Sequence, residues 1–488
     1  MTKELPRVRA PELARDGLIW LNTDAPWTKD RLAGRLVILD FWTFCCINCL
    51  QVLPTLARLE RRFPEEVAVI GVHSPKFQAE KDPTKVAAAI QRYGIGHPVV
   101  HDPDMRLWQE FGVRAWPTLA VIDPDGYVVG ATSGEPDPDA LEELIAGMVA
   151  QHRAGGRLAP GGALVAPAAP EPGRFHFPAK LKALPEGGFV LADAGNHQIV
   201  VLSSQGDELV RYGSGLPGAE DGEALHASFH RPEGVAADED AIWVADTGNH
   251  LLRRIDRASG LVITVAGTGQ RGPALAQPTL GLEQALASPW DVEVFSGAVL
   301  FCNAGTHQLG LFDPSDGSVT RLAGSGREAI SDGFAPEAAL AQPSGLAALA
   351  DRPVVFFADS ETSSIRALVF RDKPEVATII GTGLFDFGHV NGSLDDGRLQ
   401  HPLGLAVDGP LVFVADSYND TVRVIDLARQ QISDLDDGYT CTDAVCRPLN
   451  EPAGIALDAE GAVLVVDTNH HRILRYDPAT RTSRTWAE

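Results

Sequence analysis

The stretch "IWVADTGNHLLRRI", residues 242–255, is one of six versions of the same line. The others are "FVLADAGNHQIVVL" from 189, "LFCNAGTHQLGLF" from 300, "FFADSETSSIRALVF" from 356, "VFVADSYNDTVRVI" from 412 and "VLVVDTNHHRILRY" from 463. Asp193, Asp246, Asn303, Asp359, Asp416 and Asp467 hold one slot, 51 to 57 residues apart. A short apolar run precedes each, usually opened by P-x-G as in "RPEGVAA" or "EPAGIALD". Each unit therefore reads as four short strands joined by tight turns, with Asn and Gly supplying positive φ and Asp bonding nearby amides. One such sheet cannot bury both its faces, so units of this length stack radially. Six copies predict a six-bladed β-propeller over 174–488.

These lines resemble the NHL repeat family, whose Asn-His-Leu stands here as Asn249-His250-Leu251. The repeated His197, His250, His307 and His471 invite a metal assignment. Six-fold recurrence argues against one, since a unique site should break the repeat, and the sequence-based expectation is no metal. "D-G" or "N-G" at Asp221, Asp332 and Asn391 lies eleven residues before a unit-opening proline and reads as loop shaping.

Ahead of the repeats, "GGRLAPGGALVAPAAPEPGRF" (155–175) reads as an extended linker, placed at 154–173, and its "ALVAP" (163–167) is a candidate closing strand for the propeller. Residues 1–153 alternate strand-like runs with helical patterns. Within them "LVILDFWTFCCINCLQVLPTL" (36–56) holds half of the chain's six cysteines. Cys46 and Cys49 fall where a buried strand ends and a helix begins, the latter expected to kink at Pro54. A thiol at a helix N-terminus faces unpaired N–H groups and the positive end of the dipole, which favour thiolate. A C-x-x-C beside a βαβ pattern is the signal for thioredoxin-like redox chemistry. Asp40, closing the apolar strand, is a carboxyl where burial is expected; its raised pKa would let it exchange a proton with the resolving thiol. "WPT" at 116–118 resembles the proline that lines the redox site in thioredoxin folds, and Pro117 is expected to align a client backbone. The longer stretch between these elements resembles the insertion of TlpA-like and peroxiredoxin-like branches.

Taken together, "LDFWTFCCINCLQVLPTLARLE" followed by six NHL units resembles the NHL repeat-containing protein 2 family, in which a thioredoxin-like domain with a C-C-I-N-C motif precedes an NHL propeller. The resemblance implies an α/β thioredoxin-like domain followed by an all-β propeller, with no substrate attached.

Competing readings stay in view. The cysteine pair also fits a degenerate thioredoxin fold or, more weakly, zinc, for which a second C-x-x-C or His pair is missing. Cys45 is a small buried residue or a third, accessory thiol. Cys302 replaces the alanine of sister strands and is core. Cys441 and Cys446 are expected as two free thiols, a redox-sensitive loop being the alternative. The functional expectation is a thiol–disulfide oxidoreductase working without a separate cofactor, through a Cys46–Cys49 disulfide, its propeller binding a protein client through long connecting loops. A non-catalytic interaction scaffold or redox sensor is the alternative, and a lyase- or lactonase-type propeller the third.

Bulk properties narrow the partners. The 488 residues are 44% hydrophobic and 22% charged, with net charge −24. Residues 173–488 hold 23 basic and 43 acidic side chains. That surface repels phosphate backbones and anionic lipid, so neither nucleic acid nor a membrane is expected as partner. No apolar run reaches membrane-spanning length. "MTKELPRVRAPELARDG" has no secretory h-region, and the expected location is the cytoplasm.

Overall fold

The structure, a computed structural model, describes residues 7–159, 173–349, 352–435, 439–444 and 446–488. It divides into two compact units, Met1–Glu171 and Pro172–Glu488. The expected linker falls mostly, and the expected closing strand entirely, outside the described residues.

The first unit is built on β3 (Leu36–Trp42), a seven-residue strand buried along its whole length. It pairs parallel with β4 (Val67–His73) and antiparallel with β6 (Thr118–Ile122). With β1 (Val8–Arg9), β2 (Ile19–Leu21), β5 (Val99–His101) and β7 (Tyr127–Ser133) it forms a seven-stranded sheet ordered β1-β7-β6-β3-β4-β5-β2. Successive side chains on a strand face opposite ways, so β3 serves two cores. Val37, Leu39 and Phe41 pack with Leu107 and Val113 on one face. Leu36 and Ile38 pack on the other against Val52, Leu56 and Leu59 of α2 (Ile47–Arg62) and Leu141, Ile145 and Val149 of α5 (Pro138–Ala154). The alternation carries Asp40 and Trp42 to this second, α2-covered face. Pro54 lies inside α2, which is continuous from Ile47 to Arg62.

The second unit is the six-bladed propeller. Its first blade is a four-stranded antiparallel sheet, Leu181–Tyr212, and five five-stranded sheets follow. The fifth strand was not legible in the repeat. It is a two-residue piece of the long connection, at Gly222–Glu223, Thr279–Leu280, Gly333–Phe334, Gly392–Ser393 and Thr440–Cys441, and it pairs on the outer edge of its own blade. Part of each connection assigned above to recognition thus covers a sheet edge, which would otherwise present unpaired amides.

The repeated slot explains why blades recur. All six Asp and Asn side chains there are fully buried. Each Oδ1 accepts a backbone N–H from the segment that opens its blade: His176, His230, Ala287, Ala341, Gln400 and Asn450, at 2.7–2.8 Å. In five blades Oδ2 accepts from an arginine: Arg211, Arg253, Arg366, Arg423 and Arg472. Three of those arginines also donate to Asp221, Asp332 and Asn391, so these residues anchor the edge-strand connection to a buried cation.

The turn itself differs from the expected hairpin. Positive φ falls on the residue after the Asn, His250 at 56°, rather than on Gly248. Gly248 is required by close approach: a Cβ there would lie 2.5 Å from the His230 carbonyl oxygen. The residue at positive φ then reaches the following blade. His197, His250 and His307 accept through Nδ1 from the N–H of Arg231, Ser288 and Gln342, at 3.0–3.1 Å. His471 accepts from Phe177 N at 3.0 Å and so joins the last blade to the first.

Candidate active site

Cys46 is the N-cap residue of α2, with extended backbone angles (φ −84°, ψ 108°), and its carbonyl accepts the first helical N–H groups, from Cys49 and Leu50. Its side chain is part-exposed at the positive end of the helix dipole. Cys49, three residues on, has no exposed surface, and its sulfur is in hydrogen-bond contact with that of Cys46. Both are thiols in this structure. Burial, then the contact with Cys46 and the charge of Asp40, pushes the Cys49 thiol well above its ordinary range. Cys49 therefore holds its proton at neutral pH until a base removes it.

Asp40 lies on the same face of β3, fully buried, with neither carboxylate oxygen hydrogen-bonded. Desolvation raises its pKa to about 7, opposed by the charge of His97. A group with that value exchanges protons at neutral pH, which an exposed aspartate does not.

Pro117 is buried, follows a cis Trp116–Pro117 bond, and directly precedes β6. The pairing of Phe41 with Thr118 places it at the end of β3 from which the cysteine loop departs. Its carbonyl accepts from Gly134 N at 2.8 Å, while Arg114 and Ala115 just before it are exposed.

Cys45 is buried, and its backbone N–H donates to Glu80 at 3.0 Å. Glu80 was missed in the sequence. It has no exposed surface, and it accepts from Thr43 Oγ1 and Cys45 N with Oε1 and from Lys76 N and Phe77 N with Oε2. Burial raises its pKa and these donors oppose the shift. One carboxyl thus ties the loop entering the cysteines to the segment after β4. The signal was one of two acidic residues in "HSPKFQAEKD", Glu80 and Asp82, and no local pattern separates the buried one from the solvated one.

The other cysteines divide. Cys302 is fully buried and its thiol is pushed far up by desolvation, as a core residue. Cys441 and Cys446 are bonded to each other, with Cα atoms 6.1 Å apart. This corrects the expectation of two free thiols: the pairing of Thr440–Cys441 with Thr482–Ser483 holds Cys441 in place, five residues from its partner.

In the propeller's centre, acidic side chains of the innermost strands do converge, but on two lysines of the first blade. Lys180 donates to the carbonyls of Leu403 and Ala453 at 2.6 and 2.9 Å. Lys182 donates to Glu293 and the Leu346 carbonyl at 2.6 and 2.7 Å. Asp291 accepts from Val292 N and Leu346 N. These groups satisfy one another across blades, the requirement for burying charge.

A helix-tip cysteine pair in a βαβ sheet, followed by six NHL-type blades, defines the class: a thioredoxin-like protein carrying an NHL-repeat propeller. A thioredoxin-like family model matches residues 34–128 and the NHL repeat model matches 229–255 and 449–476. The chain is 36% identical to NHL repeat-containing protein 2 of Gallus gallus, over 96% of this chain and 70% of that one. It belongs to the NHL repeat-containing protein 2 family. It is also 36% identical to the Arabidopsis thaliana protein SUPPRESSOR OF QUENCHING 1, chloroplastic, over 94% of this chain and 46% of that one. The thiol-disulfide oxidoreductase YkuV of Bacillus subtilis is 25% identical over 29% of this chain and 94% of its own length. No described helix is long and apolar enough to cross a membrane.

Proposed function

We propose that the chain is a thiol–disulfide oxidoreductase of the cytosol whose propeller holds the protein client. The supporting observation is the graded pair: a part-exposed Cys46 at a helix tip touching a sealed Cys49, with an unbonded carboxyl, Asp40, behind it. The Cys46 thiolate attacks one sulfur of a client disulfide, forming a mixed disulfide and releasing one client thiolate. Cys49 gives its proton to Asp40, and its thiolate attacks Cys46 Sγ. The Cys46–Cys49 bond forms and the second client thiolate leaves, so the client gains the two electrons that the dithiol loses. Pro117 borders the space in which the client chain lies. Nothing in this cycle calls for a bound cofactor.

The test is reduction of a protein disulfide by the reduced chain, with Cys46→Ser and Cys49→Ser variants. Loss of turnover in the first and accumulation of trapped client on the second are expected. Full reductase activity in Cys46→Ser overturns the reading, and leaves the alternative of a docking scaffold whose partner capture survives replacement of both thiols.

A further inference from the structure

The Cys441–Cys446 bond has no part in the cycle above, and it lies at the surface, with Cys446 exposed and Cys441 half-buried. It closes the outer edge of blade six. Thr440 N donates to the Arg481 carbonyl and Thr442 N to that of Ser483, both at 2.9 Å, so residues 440–442 lie along the blade's last strand, Thr482–Ala487. Asp443, inside the ring of residues 441–446, accepts from Thr485 N and Thr485 Oγ1, both at 2.8 Å. Asp332 holds the last strand of blade four in the same way, accepting from Thr378 N and Thr378 Oγ1.

The two blades differ in what holds the aspartate. Arg366 donates to Asp332, and blades two and five repeat the contact as Arg253 to Asp221 and Arg423 to Asn391. Blade three ties its connection with Gln308, which bonds the backbone of Leu275. In blade six Arg472 bonds Asp467 and the Arg447 carbonyl, and among the described residues it meets no side chain of the connection. The edge piece there also runs parallel to the last strand, where the other four are antiparallel. A covalent ring thus stands where its sister blades use a buried polar side chain. Exposed disulfides are the reducible ones, so this anchor answers to the thiol supply and the others do not.

Blade six is also where the propeller closes. Each blade is one continuous stretch of chain, so among the described residues no strand crosses from the last blade to the first. Side chains hold that seam: His471 accepts from Phe177 N, Thr468 Oγ1 donates to the Pro178 carbonyl at 2.8 Å, and Trp486 packs edge-on against Phe189 with ring centroids 5.4 Å apart. Trp486 belongs to the strand that residues 440–443 pin.

We infer that Cys441–Cys446 is a second thiol–disulfide site of this chain, a reducible clasp on the closing blade whose reactant is a dithiol. One thiolate of the dithiol attacks the exposed Cys446 Sγ; the Cys441–Cys446 bond breaks and Cys441 leaves as thiolate. The second sulfur of the dithiol then attacks the first, and Cys446 leaves. The dithiol ends as a disulfide, having given two electrons to the pair, and its two protons pass to the two thiolates. Residues 440–443 are then free to leave the last strand. The site is separate from Cys46 and Cys49 and stands whether or not that pair turns over.

The experiment treats the full air-oxidised chain with dithiothreitol in the absence of denaturant. Free thiols are trapped with iodoacetamide and located by peptide mass, and hydrogen exchange is followed before and after reduction. Cys441 and Cys446 should become alkylated while the buried Cys302 does not. Exchange at Thr442 and Thr485 should rise by about tenfold or more, the order set by the closure entropy of a short ring. Exchange at Thr378 of blade four should stay unchanged, and reoxidation should restore protection in blade six. A variant carrying both Cys441→Ser and Cys446→Ser should exchange fast at Thr485 with or without dithiothreitol. Free Cys441 and Cys446 in the oxidised chain, a bond that opens only in urea, or reduction without faster exchange at Thr485 overturns the clasp. Should the double variant fail to fold, the wild-type comparison decides alone, since it needs no substitution.

Discussion

Replacing Arg366 by Met tests whether the buried cation, rather than the fold around it, holds a blade together. Arg366 and Asp359 both have no exposed surface. The guanidinium donates to Asp359 Oδ2 at 2.9 Å, to the carbonyls of Ala339 and Ser331 at 2.7 and 2.8 Å, and to Asp332 at 2.9 Å. Arg366→Met leaves Asp359 with one N–H, from Ala341, in a site that already raises its pKa by desolvation. Breaking one side of such a pair costs about 3–5 kcal/mol. The chain contains its own control. Blade three has the neutral Asn303 in the Asp slot and Gly310 in the Arg slot, where Phe301 stands so close that a Cβ would lie 2.2 Å from its ring. Its Asn303 bonds Thr306 instead. Asp359→Asn added to Arg366→Met should therefore recover about 2–3 kcal/mol as coupling energy. The assay is hydrogen exchange of blade-four peptides across a urea series, which reports this region apart from the first unit. The deficit of the single variant should shrink as the pH is lowered and Asp359, its pKa raised by burial, gains a proton. A single-variant cost below about 1 kcal/mol, or no recovery in the double variant, refutes the argument.

Glu80→Gln keeps one oxygen for Thr43 and Cys45 but can turn an N–H₂ toward the Lys76 and Phe77 amides, losing two bonds to a carboxylate. Local stability should fall by about 3 kcal/mol, seen as faster exchange at residues 76 and 77; unchanged exchange counts against Glu80 as the loop's anchor. Burial lowers His197, His250 and His471 to about 4 from 6.5. The unfolded chain then binds more protons between those values, so each contributes stability that is whole above pH 6.5 and drains away as pH falls through 4. Asp246, Asp291 and Asp416, raised to about 6, act in the opposite sense, so the wild-type profile is a sum. His471→Asn, an acceptor that tolerates positive φ, isolates one histidine: taken relative to the wild type, the variant's urea midpoint should rise between pH 7 and pH 4.5, and an identical pH dependence refutes the assignment.

How much of this was legible beforehand depends on the range over which each residue acts. The six Asp-slot lines, the proline-opened strands and the C-x-x-C after an apolar run are local patterns: strand periodicity, turn chemistry and helix entry act over a few residues, and a linear chain displays them directly. Asp40 was legible for the same reason, as a charge on a strand otherwise apolar throughout. The partners of those residues were not. The histidines after the turn reach the next blade rather than their own, the glycine in it serves close approach rather than positive φ, and the "D-G" of the connection meets an arginine some thirty residues on. Glu80 matters only because the segment after β4 packs against the loop that enters the cysteines, bringing its carboxyl to Thr43 and Cys45. Cys441 and Cys446 join because an edge strand pins one of them. Each of these is a choice among distant side chains made by packing: spacing along the backbone sets which elements form, while burial decides which polar group must find which partner once water is gone.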